Sequence, residues 1–434
     1  MSRDVRHTLD RMELDADVYT LARERTAYVM DTFDHIQVAF SGGKDSTAVL
    51  NVALEVAHSE PRFARHLPLD VYFFDEEAIP METEAYVRRA FSRDDIDGTW
   101  LCLPVQHRNA CSRHHPYWWP WAPEAQDKWC RELPPEAITF DKFPGFPVWP
   151  REARPTIPSM NTWLSPPPRQ TAVLMGIRAQ ESIIRTRSVT WRKVDNFVIP
   201  IKGICNAFKV YPVYDWRTED VWAAPKLLDW DYNHAYDLLE MAGVPASMQR
   251  CSPAFGEEPL QKIHTYAQCF PDVWAKMSER VPGIGSAARY ALTELYAYKT
   301  RPEKPADMSW PDWCAHYLKK FQPKEAAMVA ERLRDVTARH YRRTRDPIAA
   351  KAPHPDTGVS WHFLFTLAAR GDFKKRKQEG GAVGGKPMDK LWAAYTADLA
   401  ASLADGTTHL LGYPRAFPTD PYALIPPQHR METP

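Results

Sequence analysis

The sequence predicts an α/β fold in which a mostly parallel sheet carries helices on both faces and a mainly helical carboxyl-terminal region follows. Three observations predict it. Two apolar runs, Ile36–Phe40 and Leu69–Phe74, flank a stretch of helical spacing at Ala48–Ala57, which makes a strand–helix–strand unit. A glycine-rich turn joins the first run to that helix. Beyond Pro271 the strand-like runs give way to helical patterns.

Residues 1–34 come first, with Leu9, Met12, Val18, Leu21, Tyr28, Val29 and Phe33 at helical spacing among charges. They read as amphipathic helices packed on the core. The turn follows as Phe40-Ser41-Gly42-Gly43-Lys44-Asp45-Ser46-Thr47. A strand that turns on two glycines into a helix points unpaired backbone N–H groups outward, and the helix dipole adds positive potential there. Such a turn binds phosphate. It is neither a Walker A loop nor a G-x-G-x-x-G dinucleotide fingerprint.

Ser41-Gly42-Gly43-Lys44-Asp45-Ser46 resembles the PP-loop of the ATP pyrophosphatase superfamily, which holds sulfonucleotide reductases, ATP sulfurylase small subunits, tRNA thiolation enzymes and GMP synthetase. The resemblance implies an adenine nucleotide alpha hydrolase-like, Rossmann-like fold over residues 35–255, with ATP and Mg2+ as cofactors. It implies that Gly42 and Gly43 bring backbone to the pyrophosphate, with Phe40 in the same loop, and that Ser41, Ser46 and Thr47 supply hydroxyls. In the same terms Lys44 neutralises phosphate charge and Asp45 helps to hold Mg2+.

Leu69–Phe74 ends on Asp75-Glu76-Glu77, at the carboxyl end of a strand, where open parallel sheets bind ligands. The resemblance makes Asp75, then Glu76, the acid beside the nucleotide or its metal; an acidic first turn for the next helix is the alternative. Trp100–Val105 reads as the third strand. An insert at about 106–170, rich in tryptophan and proline, reads as a lid or partner surface. Its Cys102, Cys111, His114 or His115, and Cys130 match no common zinc spacing, so zinc is not expected.

Thr171–Met175 is the next strand, and Gly176-Ile177-Arg178-Ala179-Gln180-Glu181-Ser182 follows, with Arg185 and Arg187. This resembles the G-x-R-x-x-E-S-x-x-R segment of sulfonucleotide reductases and ATP sulfurylase small subunits. It implies that Gly176, Arg178, Glu181 and Arg185 lie against the nucleotide, with Arg178 catalytic beside Lys44 and Asp45. Arginine suits because its planar fork donates in pairs to anionic oxygens. Short extended runs at 197–201 and 210–214 lead to Asp215-Trp216-Arg217-Thr218, in which Thr218 can cap a helix or the motif can touch substrate.

Asp231–Gly243 reads as a helix ending at a glycine, and Arg250-Cys251 follows. One cysteine there cannot ligate an iron–sulfur cluster, so none is expected. Residues 256–434 read as the helical region, with helices at Asp272–Val281, Ser286–Tyr298, Trp310–Phe321, Lys324–Arg343 and Met388–Leu403. A basic glycine-rich loop at about 370–387, centred on Lys374–Lys377, is a candidate nucleic-acid contact, and a proline-rich tail ends the chain.

Composition bounds the partners. Lysine plus arginine and aspartate plus glutamate total 55 each, so no global field draws the chain to nucleic acid or a membrane. Seven cysteines without a C-x-x-C, and a charged amino terminus unlike a signal peptide, point to reduced thiols in a cytoplasmic protein with no membrane partner. The order of motifs over about residues 15–300 resembles the phosphoadenosine-phosphosulfate (PAPS) reductase-like proteins of phages, prophages and bacterial islands, which implies a ParB-like partner. Three functions are expected from this: cleavage of ATP between its α and β phosphates with adenylylation of an acceptor, sulfonucleotide reduction or sulfur transfer, or nucleotide sensing with a ParB-like partner or nucleic acid. The absence of a cysteine after Cys314 weighs against the second.

Overall fold

The computed structural model describes residues 15–112, 115–165, 168–181, 185, 189, 197–201, 203–256, 263–290, 303–371 and 388–404. His114, Ser182, Arg187, the Lys374–Lys377 loop, residues 1–14 and the proline-rich tail, all singled out above, lie outside them. The chain divides into two compact units, Glu13–Gln180 with Ser188–Thr300, and Met1–Met12 with Glu181–Arg187 and Arg301–Pro434.

The first unit is the sheet. Its main strands are β1 (His35–Phe40), β2 (Leu69–Phe74), β3 (Ile96–Leu101), β6 (Thr171–Met175), β7 (Val198–Pro200) and β8 (Ala207–Val210), in the order β3-β2-β1-β6-β8-β7. Between them, β4 (His107–Arg108) and β5 (Tyr117–Trp118) form a separate antiparallel ribbon. All neighbours in the main sheet run parallel except β7, which lies antiparallel on β8 at the edge. The α/β class expected from sequence is the one observed. The order reverses between β1 and β6, and such a switch point opens a crevice at the carboxyl ends of the strands.

Side chains alternate across this sheet as the period of two requires. Ile36, Val38, Phe40, Leu69, Val71, Phe73, Ala172 and Leu174 point to one face, beneath α1 (Val18–Thr32), α2 (Lys44–Ser59) and α3 (Met81–Phe91). Tyr72, Val173 and Ala207 point to the other, where they meet Phe146 and Met160 of the insert. The insert is therefore core rather than a lid. It covers the second face with 3₁₀ turns and one short helix, α4 (Asn161–Leu164), on a sheet expected to carry helices on both faces.

Strand β3 begins four residues before the expected run, because Asp97, Gly98 and Thr99 form a half-exposed edge that hides the apolar signal. The sheet unit also continues past residue 255. Helices α5 (Thr218–Leu228) and α6 (Ala235–Met241) are followed by α7 (Ile263–Cys269), α8 (Pro271–Arg280) and α9 (Ile284–Tyr290). Tyr266, Val273, Met277 and Ile284 from this last group pack with Trp118, Cys130, Tyr236 and Phe255 in one apolar cluster.

The second unit is helical, with α10 (Trp310–Leu318), α11 (Pro323–Arg343), α12 (Trp361–Arg370) and α13 (Met388–Ala404) among the described residues. Trp313, Leu333, Val336, Trp361, Leu364 and Phe365 form its core. No helix among the described residues is long and apolar enough to cross a membrane.

Candidate functional site

The glycine turn stands at the switch point. Gly42 has φ +68°, a conformation that strains other residues, and a Cβ there would come within 3.1 Å of the Thr83 side chain. Helix α2 starts at Lys44 with Gly43 as its N-cap and no side chain capping it. The hydroxyls expected to meet phosphate brace the turn itself. Ser46 Oγ and Thr47 Oγ1 donate to the Gly43 carbonyl at 2.9 and 3.0 Å, and the Ser41 N–H donates to Ser46 Oγ at 3.2 Å. Thr47 Oγ1 also lies 2.9 Å from the Tyr86 hydroxyl, fully within the protein. The Phe40 ring is buried against Tyr86 and Phe91, so this residue offers the turn only its backbone.

Two cations and one carboxylate meet at the first turn of α2. Arg178 Nε donates to Asp45 Oδ1 at 2.6 Å, and Lys44 Nζ lies 3.6 Å from Asp45 Oδ2. Arg178 is 2% exposed and Lys44 5%. Gly176 makes this possible, since a Cβ there would sit 2.5 Å from the Asp45 carbonyl carbon, against backbone that cannot give way. The Lys44 ammonium lies 5.6 Å from the centre of the Tyr236 ring and 6.0 Å from that of Trp222, and its Nζ donates to the Gln249 carbonyl at 3.4 Å. Burial pushes the Lys44 pKa down. Asp45 opposes that shift, while Arg250 and Arg178 add to it.

The role of Asp45 as a Mg2+ ligand does not fit this arrangement, because each of its oxygens already faces a cation. Among the described residues no three His, Cys, Asp or Glu side chains gather as a metal site. Cys102, Cys111 and Cys130 are buried thiols, and burial raises Cys102 and Cys130. Glu181 and Arg185 form an ion pair with each other and belong to the second unit.

The acids after β2 divide their labour. Asp75, 2% exposed, accepts from Trp100 Nε1 at 2.8 Å and from the Glu77 N–H at 2.8 Å, and it pairs with Arg131. Its carboxylate therefore holds the insert, with no oxygen left over for a nucleotide or metal. Glu77, wholly buried, accepts from the backbone N–H groups of Trp121 and Cys130 at 2.7 and 3.0 Å and from Arg280 Nε at 3.1 Å. Burial raises the Glu77 pKa, and Arg280 is the largest force opposing it. Glu76 differs. Its carboxylate lies 3.1 Å from His107 Nδ1, is partly exposed, and acts electrostatically on Cys251 beside the turn.

The Asp215-Trp216 motif is structural. Arg25 clasps Asp215 with two bonds, at 2.8 and 2.7 Å, and Trp216 Nε1 donates to the Val18 carbonyl, so the motif ties α1 to the sheet. Thr218 does not cap α5. The N-cap is Arg217, whose N–H donates to the Asp220 carboxylate at 2.7 Å, while the Thr218 N–H donates to Gln180.

Residues that the sequence did not single out complete the surroundings. Asn233 Nδ2 donates to the Gly42 carbonyl at 2.8 Å, the Lys44 N–H donates to the Tyr236 hydroxyl at 3.0 Å, and Cys251 Sγ lies 3.4 Å from that hydroxyl. Their signal was the asparagine inside a helical run. Asn233 Oδ1 accepts from the Ala235 N–H at 3.0 Å, and the helix begins only after its N-cap His234, so Asn233 itself lies ahead of the helix where it reaches the turn.

Comparison with known proteins completes the description. Residues 243–349 match the family model described as Domain of unknown function (DUF3440). The chain is 29% identical over 347 residues to the Uncharacterized protein YbdN of Escherichia coli (strain K12), over 76% of this chain and 79% of that one. Among solved structures it is similar to the FMN adenylyltransferase of Candida glabrata, with a TM-score of 0.29 and 13% identity over 54% of this chain and 64% of that one. It is likewise similar to the PAPS reductase of Candida auris in its phosphate complex, with a TM-score of 0.28 and 15% identity over 53% of this chain and 94% of that one.

Proposed function

We propose that the sheet unit binds an adenine nucleotide at the glycine turn and transfers AMP from ATP to an acceptor, releasing pyrophosphate. The observation that carries this is the pair of buried cations, Lys44 and Arg178, which meet beside Asp45 at the amino end of α2. Two buried cations beside a helix N-terminus at a switch point suit an anion with several oxygens.

In the reaction the acceptor's nucleophile attacks the α-phosphorus while the bond from that phosphorus to the bridging oxygen breaks. Pyrophosphate leaves with the electron pair, and the acceptor's proton passes to solvent. Negative charge grows on the departing oxygens. Lys44 and Arg178 are fixed by burial before charge develops, so little reorganisation opposes their stabilising it. A divalent cation bound to the substrate phosphates would add further neutralisation. Thiol-based sulfonucleotide reduction is supported less well, since Cys251 is the thiol beside the turn and burial pushes its pKa up, away from the thiolate.

The test is incubation with Mg2+ and α-labelled ATP, alone and with a ParB-like protein as acceptor, with separation of AMP, ADP and labelled macromolecules. AMP or a labelled acceptor should form and should fall by roughly 100-fold or more in Lys44→Ala. Labelled ATP that stays intact with every acceptor tried overturns the proposal.

A further inference from the structure

A cavity of about 480 Å³ opens where α1, the second half of α2 and residues 229–231 meet. Small-molecule sites span about 300–1,000 Å³. It lies apart from the glycine turn, since α2 gives it Leu54 and Glu55, about three helical turns beyond Lys44. The wall is built around Glu55. The Tyr19 hydroxyl donates to Glu55 Oε2, and Trp230 Nε1 donates to Glu55 Oε1 at 2.8 Å, so two aromatic side chains fix one carboxylate from either side. Burial and Glu55 itself raise the Tyr19 pKa, which keeps that hydroxyl a donor. Both donors are neutral, and Glu55 forms no ion pair among the described residues. Arg23 NH1 reaches the same Tyr19 hydroxyl at 3.4 Å, with its guanidinium 5.6 Å from the centre of the Tyr19 ring, and it too forms no ion pair among the described residues. Arg93 and Asp231, on the same wall, are already paired with Asp95 and Arg89. A cation and an anion thus face one cavity on either side of a single hydroxyl.

We propose that this cavity binds a free α-amino acid with an apolar side chain, its carboxylate on Arg23 and its ammonium on Glu55. The inference is independent of the nucleotide-binding role proposed above. Charge decides the class of ligand. A zwitterion compensates both groups, whereas a simple amine is drawn to Glu55 and repelled by Arg23, and a simple acid the reverse. Spacing narrows it further. Arg23 and Glu55 reach one hydroxyl oxygen, so they suit charges carried on a single carbon and not at the two ends of a chain. The planar fork of Arg23 can donate in a pair to a carboxylate, and Tyr19, Trp230 and Leu54 offer apolar surface to the side chain. Asp229, exposed at the rim, adds a second carboxylate on the ammonium side of the charge balance.

The experiment is titration calorimetry of the full chain with L-phenylalanine, with phenethylamine and 3-phenylpropionate, which each lack one of its charges, and with 6-aminohexanoate, which sets the charges far apart. L-Phenylalanine should bind, and the other three should bind roughly tenfold more weakly or worse. Arg23→Gln and Glu55→Gln should each weaken L-phenylalanine roughly tenfold, and Arg23→Lys should recover part of the loss at its position. Glu55→Gln loosens Tyr19 and Trp230 and can cost stability, whereas Arg23→Gln alters a partly exposed side chain and should melt with the wild type, so it carries the test alone if the first variant fails to fold. Failure of L-phenylalanine to bind at millimolar concentration overturns the proposal. Binding of any of the other three as tight as that of L-phenylalanine overturns it too, because the site would then read one charge alone or a different spacing. L-Phenylalanine bound equally well by folded Arg23→Gln would place the ligand elsewhere on the chain and would also overturn it.

Discussion

Two clusters of buried charge stand at the carboxyl edge of the same sheet, and they are built on opposite terms. After β2, Asp75 and Glu77 meet Arg131, Arg280, two indoles and backbone N–H groups, so that acids, cations and donors are matched. After β1 and β6, Lys44 and Arg178 both lie against Asp45, and the Lys44 ammonium leans on two aromatic rings and a carbonyl. The first cluster is a scaffold that holds the insert over the sheet. The second sets two buried cations at a helix N-terminus, a setting that an anion can use. Both were acid- or base-rich motifs at strand ends in the sequence; the groups each meets in three dimensions separate them.

The largest effect should come from breaking the scaffold. Glu77→Ala leaves Arg280 buried without its carboxylate and the Trp121 and Cys130 N–H groups without an acceptor, and should cost roughly 3–5 kcal/mol in chemical denaturation. A loss under about 1 kcal/mol would erase the contrast between the two clusters. A smaller effect is expected where the two strands of the site meet. Gly176→Ala sets a methyl group 2.5 Å from the Asp45 carbonyl carbon and should cost roughly 1–3 kcal/mol while spreading Arg178 from Asp45. Its nucleotide affinity should fall more than that of a scaffold variant of equal stability, as a binding titration would read.

Much of this was legible in the sequence, for reasons that can be traced residue by residue. Strands β1, β2 and β6 are buried on both faces and so appear as continuous apolar runs. The glycine turn was legible because Gly42 must take a positive φ and Gly176 must admit backbone, and neither requirement can be met by other residues at the same cost. Helix α12 was not, because Trp361, Phe363, Leu364, Phe365, Leu367 and Ala368 are buried all round it and leave no period to read. The duties of Asp75 and Glu77 were hidden because their partners, Arg131 and Arg280, lie far along the chain in segments with no motif. The same holds for Tyr236 and Gln249, which only the fold brings to Lys44.

The smallest expected effect is on stability, and it sharpens the comparison most directly. Lys44→Met removes a buried ammonium whose pairing with Asp45 is long, at 3.6 Å, and leaves Asp45 with Arg178, so stability should change by only about 1 kcal/mol or less, in contrast to Glu77→Ala. The charge of Lys44 should instead show itself in the pH dependence of ATP binding. Burial lowers the pKa of this ammonium in the free protein, and a bound polyphosphate raises it again. Affinity should therefore be constant at pH values below the lowered pKa, decline as pH rises through it, by at most about tenfold per pH unit, and level off only above the pKa of the complex. An exposed lysine would begin this decline later. Lys44→Arg carries a charge that does not titrate in this range, and its ATP affinity should stay flat where that of the wild type falls. If both profiles fall together, the titrating group is not Lys44, and the Lys44 charge is not what holds the phosphates.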